Sequence, residues 1–247
     1  MFPCDAKILA ALATEPETIP EVLAQMQAID ALVVDGDGLK WFNWLYWQVT
    51  QAVQARVQAP GGFADPALIA ALDVQFARLY FDALCRSLSN QTTPDCWQTL
   101  FDRRADTSLG RIQFAMAGMN AHINHDLTMA VVATCTAADS GTPASLGPQH
   151  ATVQYNDYTA LNTTLDSLIE MARATLHLRL LGDALPAVSP LEDTLAGWSM
   201  SAAREAAWNN AELLWRLRGE TLFATAFLDS LDGLTAVVGK GMLIPIP

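Results

Sequence analysis

The stretch from Ala115 to Val132, AMAGMNAHINHDLTMAVV, sets two histidines, two asparagines and an aspartate into an otherwise apolar run. Such groups are costly to bury unless they are hydrogen-bonded, so the run calls for partners or for a purpose. Between Ser108 and Ala137 there is no proline, and Gly110 and Gly118 are the two glycines; the pattern predicts the middle of a long buried helix. At about 100° per residue, His122 and Asp126 share one face with His125 at its flank, beside Ala115, Gly118, Met119 and Met129. Asn120 and Asn124 fall on the opposite side with Gln113, and Ile112, Met116, Ile123 and Leu127 separate the two sets on one flank. A helix that is polar on two sides and apolar between belongs at the centre of a bundle. Its amides are expected to tie neighbouring helix ends or loops.

The rest of the chain reads as helices to surround it. Thr18-Ile-Pro-Glu21 has capping-box spacing with a first-turn proline and predicts a helix from Ile19 to about Leu32. VVDGDG breaks it; Asp35 and Asp37 resemble the opening of a calcium loop, but the twelfth-position acid is missing, so a turn is expected. From Leu39 to Gln58 the residues Trp41, Trp44, Leu45, Tyr46 and Trp47 are too crowded for one stripe, which predicts a helix buried on most sides or lining a pocket. Asp65-Pro66 starts an amphipathic helix to about Ser89, and Pro94 a short one. Ala138–His150 reads as a Gly/Pro/Ser-rich surface loop, Asp157–Leu181 as one helix, and Ser189-Pro-Leu-Glu192 as a second capping box. After Gly197 comes a helix with small residues at Ala203, Ala207 and Ala211, then one from Glu220 through Leu231, and an apolar tail, 241–247, expected on the surface. The expectation is one all-α domain, 1–247, of about eight helices packed around a central buried helix.

A length of 247 residues and 51% hydrophobic content suffice for a sizeable core. Only 14 Lys and Arg stand against 26 Asp and Glu, a net charge of −12, which argues against nucleic acid and anionic membrane surfaces as partners. Four cysteines, Cys4, Cys85, Cys96 and Cys135, lie far apart without C-x-x-C spacing, so neither a zinc knuckle nor a disulfide framework is signalled. Cys135 is expected to be a small core residue, and His150 and His177 surface or core histidines. The start lacks a secretion signal and no uninterrupted apolar run reaches about eighteen residues, so a soluble cytoplasmic protein is expected. A nucleophile elbow, a phosphate loop and a dinucleotide fingerprint are all missing.

The run AGMNAHINHDL, with DGLKWFNWLYWQVT before it and AREAAWNNAELLW after it, resembles the domain of unknown function 5995 family over about residues 19–217. Membership implies a helical domain around the motif N-A-H-I-N-x-D-L and supplies no reaction. The motif lands on Asn120, His122, Asn124 and Asp126, with His125 at the x. NDYTALN offers Asp157, Tyr158 and Asn162, and the later segment offers Arg204 and Trp208.

Three functions follow as expectations. In the first, His122 is a general acid or base held by Asp126, Asp157 or Arg204, the substrate is a small apolar molecule lying against Trp41, Trp44 and Trp47, and Asn120, Asn124, Tyr158, Asn162 and Trp208 bind it. That suits isomerisation, cyclisation or elimination. In the second, His122, Asp126 and His125 ligate Zn or Fe for hydrolysis or oxidation, although H-x-x-H-D matches no standard ligand spacing. In the third, the polar centre is structural and the domain binds a ligand or another protein without chemistry.

Overall fold

The computed structural model describes residues 2–138, 147–176 and 199–245, and every regular element among them is helical. In order they are α1 (Asp5–Ala11), α2 (Ile19–Leu32), α3 (Leu39–Gln58), α4 (Pro66–Leu88), α5 (Asp95–Phe101), α6 (Arg111–Ala121), a π-helical turn (His122–Asp126), α7 (Leu127–Ala138), α8 (Val153–Ala160), α9 (Asn162–Thr175), α10 (Met200–Leu217) and α11 (Thr221–Met242). The all-α expectation holds. The second capping box, Gly197 and His177 lie outside the described residues.

Local chemistry sets several helix starts. Thr18 Oγ1 accepts the Glu21 N–H at 3.4 Å, Asp65 Oδ1 the Leu68 N–H at 3.0 Å and Ser199 Oγ the Ala202 N–H at 3.2 Å. Each satisfies an amide that a helix start leaves free. The predicted helix 157–181 is two helices, because Thr152 caps an earlier start by accepting the Tyr155 N–H at 3.2 Å and the chain breaks at Leu161.

The central rod is α6, the π turn and α7 joined end to end. From Ile112 to Ala121 every residue is buried. α3 and α11 pack on α6, α4 and α10 on α7, and α4, α10 and α11 on the π turn. Gly118 permits a close approach of α3: a Cβ there would lie 2.3 Å from the Phe42 ring. The amide side works as expected of connectors. Gln113 Nε2 donates to the carbonyls of Met242 and Ile244 at 2.8 and 2.7 Å, Asn120 Nδ2 to that of Thr235 at 2.9 Å, and Asn124 Nδ2 to Asn120 Oδ1 at 2.9 Å. These bonds carry α11 past Gly233 and Gly239 to Met242, beyond the predicted end at Leu231. α11 is the one helix among the described residues long and apolar enough to cross a membrane, and it exposes Leu222, Phe223, Leu234, Val237 and Val238. Its other side carries Thr235, Ala236, Gly239 and Met242 into the bundle.

A buried ion cluster closes the N-terminal end. Arg104 grips Asp37 through two bonds of 2.9 and 2.6 Å and Asp5 through one of 3.1 Å, all three side chains almost wholly buried. Asp37 thus serves an arginine at the turn where the sequence showed half a calcium loop.

Candidate functional site

The π turn concentrates the motif's polar atoms on one carboxylate. His122 Nδ1 lies 2.9 Å from Asp126 Oδ2, Trp97 Nε1 donates to the same oxygen at 2.9 Å, and His125 Nδ1 lies 2.7 Å from Oδ1. Burial alone would push the Asp126 carboxyl up, but the hydrogen bonds from His122 and His125, with the charge His125 can carry, hold it below its ordinary range. Because Asp126 is ionised, both imidazoles carry their proton on Nδ1. Burial lowers the pKa of His122, outweighing Asp126, so that ring is neutral. For His125 the balance reverses: burial opposes its charged form, and the bond and charge of Asp126, with Asp232 beyond, raise it.

His122 is wrapped in aromatic rings. It stacks on Phe76 with centroids 3.4 Å apart and planes within 5°, meets Tyr46 edge-on at 4.5 Å, and has Phe42 and Trp97 at 5.8 Å and Tyr80 at 6.3 Å. Its Nε2 is buried with no hydrogen-bond partner among the described residues.

On the far side of Phe76 and Tyr46 lies a narrow cleft with about 40 Å³ of room. Val49, Val53, Ile69, Leu72, Leu127, Leu161 and Leu165 make it apolar. Three polar side chains also line it: Tyr46, Asp73 and Arg204. Asp73 Oδ2 is buried without a partner among the described residues, and the Tyr46 hydroxyl meets only Thr50, four residues on in α3. Desolvation pushes the Asp73 carboxyl up to about 8, so it carries a proton near neutral pH. The Tyr46 phenol is driven well above its usual value by burial and then by the charges of Asp73 and Asp126.

Arg204 is buried yet forms no ion pair with a carboxylate among the described residues. Its Nε donates to Asn162 Oδ1 at 2.8 Å, its Nη2 to the Tyr158 carbonyl at 2.6 Å, and the guanidinium lies 4.0 Å over the Tyr158 ring. Burial lowers its pKa, but an arginine stays charged. A charge so placed, hydrogen-bonded only to neutral groups and with Asp166 acting on it without an ion pair, can still receive an anion.

The sequence candidates separate accordingly. His122, Asp126 and His125 meet at the π turn. Asp157 lies elsewhere, its two oxygens accepting the Ala64 and Asp65 N–H groups at 3.0 and 2.6 Å ahead of α4. Tyr158, Asn162 and Trp208 surround Arg204: the Tyr158 hydroxyl donates to the Arg204 carbonyl at 2.7 Å and packs 4.9 Å from the Trp208 ring. Trp41, under Arg111 at 4.2 Å, and Trp44 and Trp47 pack on the core, while α3 turns Tyr46, Val49 and Val53 to the cleft. Asn120 is occupied as a tie to α11, and Asn124 Nδ2 donates to Asn120 Oδ1. Sequence reasoning passed over Asp73, although Ile69, Asp73, Phe76 and Tyr80 share a helical stripe in α4. A lone acid on an apolar stripe is the signal that marks it. It passed over Trp97 too, for which no local pattern exists.

A model of a family of unknown function, DUF5995, matches residues 19–245. Comparison with curated proteins and with solved structures yields no match.

Proposed function

The chain belongs to the DUF5995 family, and from that premise we propose, on the geometry of the cleft, that it is an acid/base enzyme for a small, largely apolar molecule bearing one anionic group. A single observation carries the reading: Asp73 and Arg204 line one apolar cleft without pairing with each other or with any other charged group among the described residues. A ligand carboxylate would answer the guanidinium, in the bidentate geometry that arginine favours. The apolar side chains would have to part to admit the hydrocarbon part, and once closed on it would exclude water.

Asp73, protonated near neutral pH, is the proton-transfer group, since an acid with a pKa near the working pH is both available and effective. It gives its proton to the substrate and regains one from another position of the same molecule, which moves a double bond or closes a ring without a co-reactant. The Tyr46 hydroxyl is placed to hydrogen-bond an oxygen on which charge develops. His122, neutral and stacked behind Phe76, fixes the wall against which the substrate lies.

The test is solvent-proton exchange. Short aliphatic and alicyclic carboxylates are incubated in D₂O with wild type and with Asp73→Asn, both shown folded by circular dichroism, and deuterium entry is read by NMR. The reading expects exchange, or conversion, with wild type alone. A thermal shift by these acids that Asp73→Asn retains, with no exchange in either protein, would replace catalysis by simple ligand binding. No shift and no exchange with any of them would overturn the anionic, apolar ligand altogether.

A further inference from the structure

Three side chains that chemistry favours as metal ligands meet on the other side of the π turn. Cys96 stands in the first turn of α5, His125 in the π turn and Asp232 midway along α11, and their ligand atoms lie within 4.8 Å of one another. Cys96 and His125 are buried and Asp232 is half-buried. We infer that Cys96, His125 and Asp232 form a binding site for a zinc-class divalent ion.

The donor set is one that zinc accepts, a thiolate, an imidazole and a carboxylate, with the fourth tetrahedral position left to solvent on the half-buried side. Bonds of about 2.0 to 2.3 Å would draw the ligand atoms to roughly 3.5 Å apart, a closure that side-chain rotation can supply. The outer contacts are already those of a metal site. His125 engages Asp126 Oδ1 at 2.7 Å through Nδ1, which leaves Nε2 for the ion and repeats the carboxylate–histidine–metal arrangement. Asp232 is fixed by the Asp95 and Cys96 N–H groups, at 2.8 Å on Oδ2 and 2.9 Å on Oδ1, and its oxygens keep lone pairs for coordination. The sequence reading set His125 beside His122 and Asp126 as ligands. In the structure Asp126 holds both histidines by Nδ1, and His125 faces the other way, toward residues far off in the chain. This site is separate from the cleft and does not depend on the reaction proposed there.

The experiment uses the full-length protein stripped with a chelator and titrated with Co²⁺ and then Zn²⁺. The site predicts one equivalent of Co²⁺ with a thiolate-to-cobalt charge-transfer band, its displacement by Zn²⁺, and a rise in melting temperature. Cys96→Ser should abolish the band, Asp232→Asn should weaken binding at least tenfold, and Cys135→Ser should leave both unchanged. Folded wild type that shows neither band nor melting shift would overturn the inference, as would a band that survives in Cys96→Ser. Should Cys96→Ser fail to fold, the Asp232→Asn comparison decides: unchanged affinity there would equally overturn the site.

Discussion

The Phe76 and Tyr46 rings divide two buried polar regions that differ in how their atoms are satisfied. On the π-turn side, Asp126 receives three donors, from His122, His125 and Trp97, and burial is offset bond by bond. On the cleft side, Asp73 has no partner and Arg204 has no carboxylate among the described residues. A satisfied buried network fixes an arrangement of helices, whereas unsatisfied groups in a cavity store free energy that a ligand can release. The motif that marks the sequence therefore ties helices together, and the residues proposed to meet a ligand stand beyond it.

Substitutions should show the contrast in sign as well as size. The largest effect belongs to Asp126→Ala, which strands three buried donors and should cost about 3–5 kcal/mol in denaturant unfolding. A cost below about 1 kcal/mol would break the idea that this carboxylate holds the turn. His122→Ala comes next at about 3 kcal/mol, for the lost ring and the cavity in its place. His122→Phe refills the cage and should cost less, about 1–2 kcal/mol for a donor lost from Asp126. If His122→Phe abolished turnover with no loss of stability, the histidine would belong to the chemistry and the division drawn here would fail.

Across the rings the sign reverses. The unfolded Asp73 loses its proton near pH 4, while the folded one keeps it to about 8. Between those values the native state binds more protons, so the wild type loses stability as pH rises, at up to about 1.4 kcal/mol per pH unit, and the loss levels off above pH 8. Asp73→Asn removes that slope and should be more stable than wild type by about 5 kcal/mol at pH 8, with little difference at pH 4. Equal stability of the two proteins at both pH values would mean that Asp73 ionises freely. The smallest effect is expected of Tyr46→Phe, within about 1 kcal/mol, since its hydroxyl meets only Thr50.

The fold was legible because its signals are local. Thr18, Asp65 and the apolar spacing of α4 each act within a few residues, and the polar run around His122 announced a buried central helix. The site was legible only in part. His122 and Asp126 sit four apart on one helix, so their bond could be read directly. Trp97, Asp73, Cys96 and Asp232 reach their neighbours through tertiary packing of helices distant in sequence, for which periodicity holds no information. The π turn was also hidden, since no residue type demands it, and it is what turns His122 and His125 toward opposite oxygens of one carboxylate. The crowded aromatics of α3 announced a helix buried on most sides, as the core packing of Trp41, Trp44 and Trp47 shows, but not that the side facing the cleft is Tyr46, Val49 and Val53.

The claim that the cleft holds an unsatisfied acid is tested most directly by the titration of Asp73, followed through its ¹³C-labelled carboxyl resonance in the folded protein and assigned by its absence from Asp73→Asn. The account predicts a midpoint near 8. A midpoint near 4, the value of a solvated aspartate, would show a hydrated or paired carboxylate and would remove the proton donor on which the proposed chemistry rests.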